Sequence, residues 1–175
     1  TQSRSSAASD VYKRQGMSGA GKSYVGSAFA VHTGIEFVDI DRQMEGVYDG
    51  RPLQEILDEI GEERFLAEQE AQVKQLAGRD GFVVSPGGRV VYTEGAMLFL
   101  KEFSTIVYLQ VPLATIKQRI ASEPRGIVGL GSKTFDELYS DRSALYEKWA
   151  DVVVDAGGKT PEEIIEELST LIQSN

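Results

Sequence analysis

The sequence predicts an α/β fold of three layers, with a parallel five-stranded sheet between helices, and three observations carry that prediction. Short apolar runs alternate with amphipathic helical patterns along most of the chain, as in successive βα units. The run GMSGAGKS, Gly16–Ser23, fills every fixed position of the phosphate-binding loop G-x-x-x-x-G-K-[ST], which joins a strand to a helix. One long irregular stretch, Glu123–Lys133, holds Pro124 and three glycines, and its place suits a lid over about residues 123–134.

In the phosphate-binding loop, glycines let backbone N–H groups curl around phosphate oxygens, and the next helix aims its positive end at the same charge. Gly16, Gly19, Ala20 and Gly21 supply that backbone, and Tyr24 follows in the helix. Lys22 is placed to reach the terminal phosphates and Ser23 to ligate Mg²⁺. The pattern therefore implies a nucleoside triphosphate.

The helix expected over Lys22–His32 has Val25, Ala28 and Phe29 on its apolar face and stops at Gly34. Strands are expected over Glu36–Asp39, Gly81–Ser85, Thr105–Gln110 and Asp151–Asp155. Helices are expected over Arg42–Tyr48, Leu53–Ile60, Glu62–Ala77, Gly95–Lys101, Leu113–Ala121, Phe135–Trp149 and Pro161–Gln173. The last has Thr160 as N-cap, Pro161 at its first position and Glu163 closing a capping box.

Residues before the loop break the pattern. A strand in the middle of such a sheet is buried on both faces and reads apolar, yet Ser5–Gln15 reads SSAASDVYKRQ. That string is similar, residue for residue, to the translation of a transposase-type sequencing adapter. Residues 1–15 are thus expected to be foreign, with Asp10–Gln15 threaded where the first strand belongs. Residues 16–175 are expected to form one domain.

The whole chain carries a net charge of −9. Setting aside residues 1–15, with three basic side chains and one acidic, moves it to −11. This balance argues against nucleic acid and anionic membranes as partners. There are no cysteines, which excludes disulfides and thiolate metal sites. No apolar run approaches transmembrane length, so a cytoplasmic monomer is expected.

The second strand leads into FVDID, Phe37–Asp41. Ligands of open α/β sheets bind at carboxyl ends of strands, so Asp39 and Asp41 are expected to face the phosphate site from a strand end. One carboxylate would organise Mg²⁺ and its waters, and the other would accept a proton from a substrate hydroxyl.

With GMSGAGKS and FVDID in place, the chain resembles the shikimate kinase family of P-loop kinases. GEERF (Gly61–Phe65), Gly87–Gly88 and DRSALYEKWADVVVD (Asp141–Asp155) follow in the family's order. The resemblance implies ATP and Mg²⁺ as cofactors and a hydroxylated carboxylate as substrate, with shikimate the first choice. It implies that Lys22 and Ser23 hold triphosphate and metal, that Asp39 holds Mg²⁺ through water, and that Asp41 is the base. Arg125 would close over the transferring phosphoryl group, Arg119 and Pro161 would line the adenine, and Arg142 would grip the carboxylate. Gly87 and Gly88 would lie against the substrate.

Three departures bear on the acceptor. Leu66 stands where the family has a carboxylate-gripping arginine, Pro86 replaces the first glycine of T-G-G-G, and the lid reads RGIVG, Arg125–Gly129. Arg89 is the candidate compensating cation. Another hydroxy acid or hydroxy amino acid stays open as acceptor, as does a kinase-like module that binds without catalysis.

Overall fold

The computed structural model describes residues 12–15, 20–122 and 133–173. Five strands form one parallel sheet: β1 (Tyr12–Gln15), β2 (Glu36–Asp39), β3 (Phe82–Ser85), β4 (Thr105–Gln110) and β5 (Val152–Asp155). Their order is β2-β3-β1-β4-β5. The chain therefore switches direction across the sheet at β1, and the crevice at the carboxyl ends of the strands there is where such sheets bind ligands.

β1 lies between β3 and β4, with Tyr12 opposite Val83 and Thr105, and Gln15 opposite Tyr108. The segment YKRQ thus occupies the central position, as its threading into the sheet anticipates. Its neighbours are apolar: Phe82, Val83 and Val84 are buried on β3, and Ile106, Val107, Tyr108 and Leu109 on β4. Edge strand β2 is set by register to β3, with Asp39 opposite Ser85.

Helices cover the sheet in two groups. α1 (Lys22–Thr33) lies over β2 and β3 and packs against α8 (Pro161–Gln173). Its approach to β2 is close, since a Cβ at Gly26 would stand 2.6 Å from the Phe37 ring. α1 ends at Gly34, in the left-handed region at φ +73°, a conformation glycine adopts without penalty. The second group is α4 (Glu62–Lys74), α5 (Glu94–Glu102) and α7 (Phe135–Trp149), of which α5 and α7 lie against β4. Short helices α2 (Ile40–Val47) and α3 (Leu53–Ile60) pack on α4, and α6 (Leu113–Ser122) follows β4.

Two boundaries differ from expectation by more than one residue. α2 starts at Ile40 rather than Arg42, because Asp39 is its N-cap and Oδ1 accepts from the Arg42 N–H at 3.3 Å. Asp41 consequently sits in the first turn of a helix, not on a strand end. α4 stops at Lys74 rather than Ala77, giving way to turns that reach Gly78 at φ +70°. The Thr160 capping box forms: Glu163 N–H donates to Thr160 Oγ1 at 3.3 Å and Thr160 N–H to Glu163 Oε2 at 2.7 Å. Thr134 and Glu137 make a second box at the start of α7.

Candidate active site

Gly21, at φ +85° and ψ 19°, leads into α1, and the Val25 N–H reaches back to its carbonyl at 2.9 Å. Lys22 and Ser23 are thereby fixed in the first turn of α1, at the carboxyl edge of the sheet. Ser23 Oγ donates to Asp39 Oδ2 at 2.7 Å, which joins the end of β2 to the start of α1. Gly16, Gly19 and Arg125 lie outside the described residues.

Lys22 and Asp41 face each other closely enough that each shifts the other's ionisation. Burial of the Lys22 ammonium is the largest influence and lowers its pKa to about 8. Asp41 and Asp39 oppose that fall, and Arg142 adds to it. Burial likewise raises Asp41 to about 6; Lys22 pulls it down, Asp39 pushes it up, and a hydrogen bond from Gln69 pulls it down. A carboxylate poised near neutrality beside a cation is a fitting proton acceptor.

Beyond Asp41 a cleft opens, lined by Asp41, Leu53, Phe65, Gln69, Gly88, Arg89 and Arg142. Gln69 Nε2 donates to Asp41 Oδ1 at 3.2 Å. Gly87 packs against this pair so closely that any Cβ there would overlap Asp41 Oδ1 and Gln69 Nε2. Tyr146, fully buried on α7, donates to the Gly88 carbonyl at 2.8 Å and anchors the glycine turn.

Two arginines enter the cleft. Arg142 on α7 and Arg89 after β3 are 1% and 4% exposed, which is rare for guanidinium groups. Their guanidinium carbons lie 5.6 Å and 5.8 Å from the Tyr92 ring centroid. Arg142 Nε donates to the Tyr92 hydroxyl at 3.4 Å. Arg89 is ion-paired with Glu62, while its Nε is buried and unpaired. Burial lowers the Arg89 pKa, Glu62 opposes that fall and the neighbouring Arg142 adds to it, as expected where two cationic groups crowd together.

The structure thus gathers Lys22, Ser23, Asp39, Asp41, Gly87, Gly88, Arg89 and Arg142 around one crevice. Arg119 stands exposed in the last turn of α6, Tyr24 is exposed on α1, and Pro161 opens α8. None of these three lines the acceptor cleft. Sequence reasoning missed Gln69, Leu53, Phe65 and Glu62. For Gln69 a signal existed: it interrupts the buried stripe Phe65, Gln69, Val73 on α4, and a polar residue at a core position needs a partner.

A lysine and a hydroxyl at the tip of a helix, carboxylates opposite, and a parallel sheet in this order define a P-loop kinase of the small-molecule type. The family model for shikimate kinase matches residues 18–173, and the chain belongs to the shikimate kinase family. It is 32% identical to a shikimate kinase of Persephonella marina over 154 residues, covering 87% of this chain and 93% of the relative. It is 36% identical to that of Halorhodospira halophila over 146 residues, 82% of each. The shikimate kinase of Acinetobacter baumannii, solved in complex with shikimate, superposes with a TM-score of 0.82 at 26% identity, covering 95% of this chain and 94% of that one. The protein is an ATP-using phosphotransferase that acts on an alcohol group. No helix among the described residues is long and apolar enough to cross a membrane.

Proposed function

We propose that the chain transfers the γ-phosphoryl group of ATP to the 3-hydroxyl of shikimate, with Asp41 as the base. The observation that supports this most is that Asp41, held by Gln69, lines one cleft with the buried Arg89 and Arg142. Lys22 neutralises the terminal phosphates, Asp41 takes the proton of the attacking hydroxyl, and Arg89 with Arg142 binds the acceptor's carboxylate. Phosphoryl transfer asks mainly for such positioning and charge neutralisation. Arg125, from its place in the family's lid, stabilises the transferring group, while Arg119 and Pro161 flank the adenine.

Ser23 and Asp39 fit Mg²⁺. They offer hard oxygen donors 2.7 Å apart, and no cluster of three or more His, Cys, Asp or Glu placed to hold a metal ion occurs among the described residues. Such a sparse donor set suits an ion that keeps water and binds substrate phosphates. When bound, Mg²⁺ draws charge from the β- and γ-phosphates. The single domain spans residues 16–175, acts as a cytoplasmic monomer and takes no nucleic acid or membrane as partner.

Leu66 favours a second reading in which another hydroxy acid is the acceptor. Coupled ADP release over a panel of shikimate, gluconate and homoserine decides between them. Shikimate is expected to give the highest kcat/KM, and Asp41→Asn to lower its kcat by about 10²–10⁴-fold. Equal ADP release without acceptor, or full activity in Asp41→Asn, refutes the assignment.

A further inference from the structure

Gln69 is 1% exposed and belongs to the wall of the acceptor cleft. Its amide is only half used. Nε2 donates to Asp41 Oδ1 at 3.2 Å, while Oε1 is buried and has no hydrogen-bond partner. The orientation follows from chemistry, since an ionised carboxylate only accepts hydrogen bonds and must face the NH₂ end. Gly87 holds the pair from the other side, where no side chain fits. An unpaired buried carbonyl is costly, and a native site that retains one commonly fills it with a ligand or water.

We propose that Gln69 selects acceptors bearing a second hydroxyl beside the one phosphorylated, its amide holding Asp41 with Nε2 and receiving that neighbouring hydroxyl with Oε1. The proposal rests on the reading of Asp41 as the base. The two amide atoms share one carbon. A hydroxyl accepted by Oε1 therefore lies next to the hydroxyl held by Asp41, the spacing of two oxygens on adjacent carbons. An acceptor with a solitary hydroxyl leaves Oε1 unpaired in a desolvated site. A vicinal diol satisfies both.

The test compares shikimate with its analogue lacking the hydroxyl on the carbon next to the phosphorylated position. Wild-type protein is expected to disfavour the analogue by about tenfold to a hundredfold in kcat/KM. In Gln69→Met that ratio falls to within about threefold. In Gln69→Glu, which keeps an acceptor oxygen but loses the donor, the ratio persists. Loss of Asp41 positioning alone slows both acceptors equally and leaves the ratio intact. If Gln69→Met does not fold, the ratios of Gln69→Glu and of the wild type carry the test. A wild-type ratio near one, or Gln69→Met discriminating as wild type does, overturns the proposal alone. No turnover of shikimate at all overturns it together with the functional reading.

Discussion

Lys22, Ser23 and Asp39, on the phosphate side of the crevice, come from adjoining ends of α1 and β2 and sit within one hydrogen-bonded corner. Asp41, Gln69, Arg89 and Arg142, on the acceptor wall, come from α2, α4, the turn after β3 and α7. The first group is compact in sequence because a phosphate is always the same ligand and one loop geometry serves it. The second is dispersed because an acceptor's shape is read from several directions at once. The phosphate side hence depends on its supporting strand, and the acceptor wall on long-range packing.

The largest effect is expected where that support is weakest. β1 carries Lys13 and Arg14 between two strands whose described residues are mostly apolar and buried, in a sheet with helices packed over it. Backbone pairing tolerates any such sequence, but a central strand gains stability by burying apolar surface. The double variant Lys13→Val, Arg14→Ile is expected to add about 3 kcal/mol, raising Tm by roughly 6–12 °C in thermal unfolding. An unchanged Tm would show that YKRQ serves the centre of the sheet as well as apolar residues do, and that the phosphate side has no weak footing.

Next in size is a pH dependence that joins the two sides. Asp41, at about 6, must be ionised to accept a proton, and Lys22, at about 8, must be charged to neutralise phosphate. The profile of kcat/KM for ATP, which reports the free enzyme, is expected to be bell-shaped, falling about tenfold per unit below the lower limb and above the upper. Bound triphosphate places negative charge beside Lys22 and raises its pKa. At saturating ATP the alkaline limb of kcat therefore moves to higher pH. A profile flat from pH 5 to 9 would mean that the two groups do not govern turnover.

How much was legible in the sequence follows the same division. GMSGAGKS and FVDID made Ser23 and Asp39 legible as neighbours, which a hydrogen bond joins, since contiguous residues and fixed spacing determine their own geometry. β2, β4, α3, α7 and α8 match their expected spans residue for residue, because their apolar periodicity and caps are local. The start of α2 was not legible, because an Asp at a strand end suits a helix cap and a ligand site equally, and only the fold shows Asp39 capping. Arg89 and Arg142 were legible as charges but not as buried neighbours sharing Tyr92. The partner of Gln69 was not legible at all. Only the fold brings that side chain to Asp41, 28 positions away in sequence.

The smallest effects sharpen the comparison most, because they turn on one ion pair with unequal partners. The Arg89 side chain is 5% exposed, whereas that of Glu62 is 67% exposed. Arg89→Gln removes a desolvated cation from the cleft and is expected to raise the acceptor KM by about tenfold or more, with kcat within roughly threefold. Glu62→Gln acts in the opposite direction. It leaves Arg89 in place and deletes a carboxylate that competes with the acceptor's own, so KM is expected to fall. Solvent already screens Glu62, so the gain is only about two- to fivefold, and it shrinks further in high salt. Initial-rate kinetics at two ionic strengths measure both variants. Opposite signs place Arg89 as a binding group and Glu62 as its internal competitor, while a KM that rises in both shows that Glu62 instead holds Arg89 in its working position.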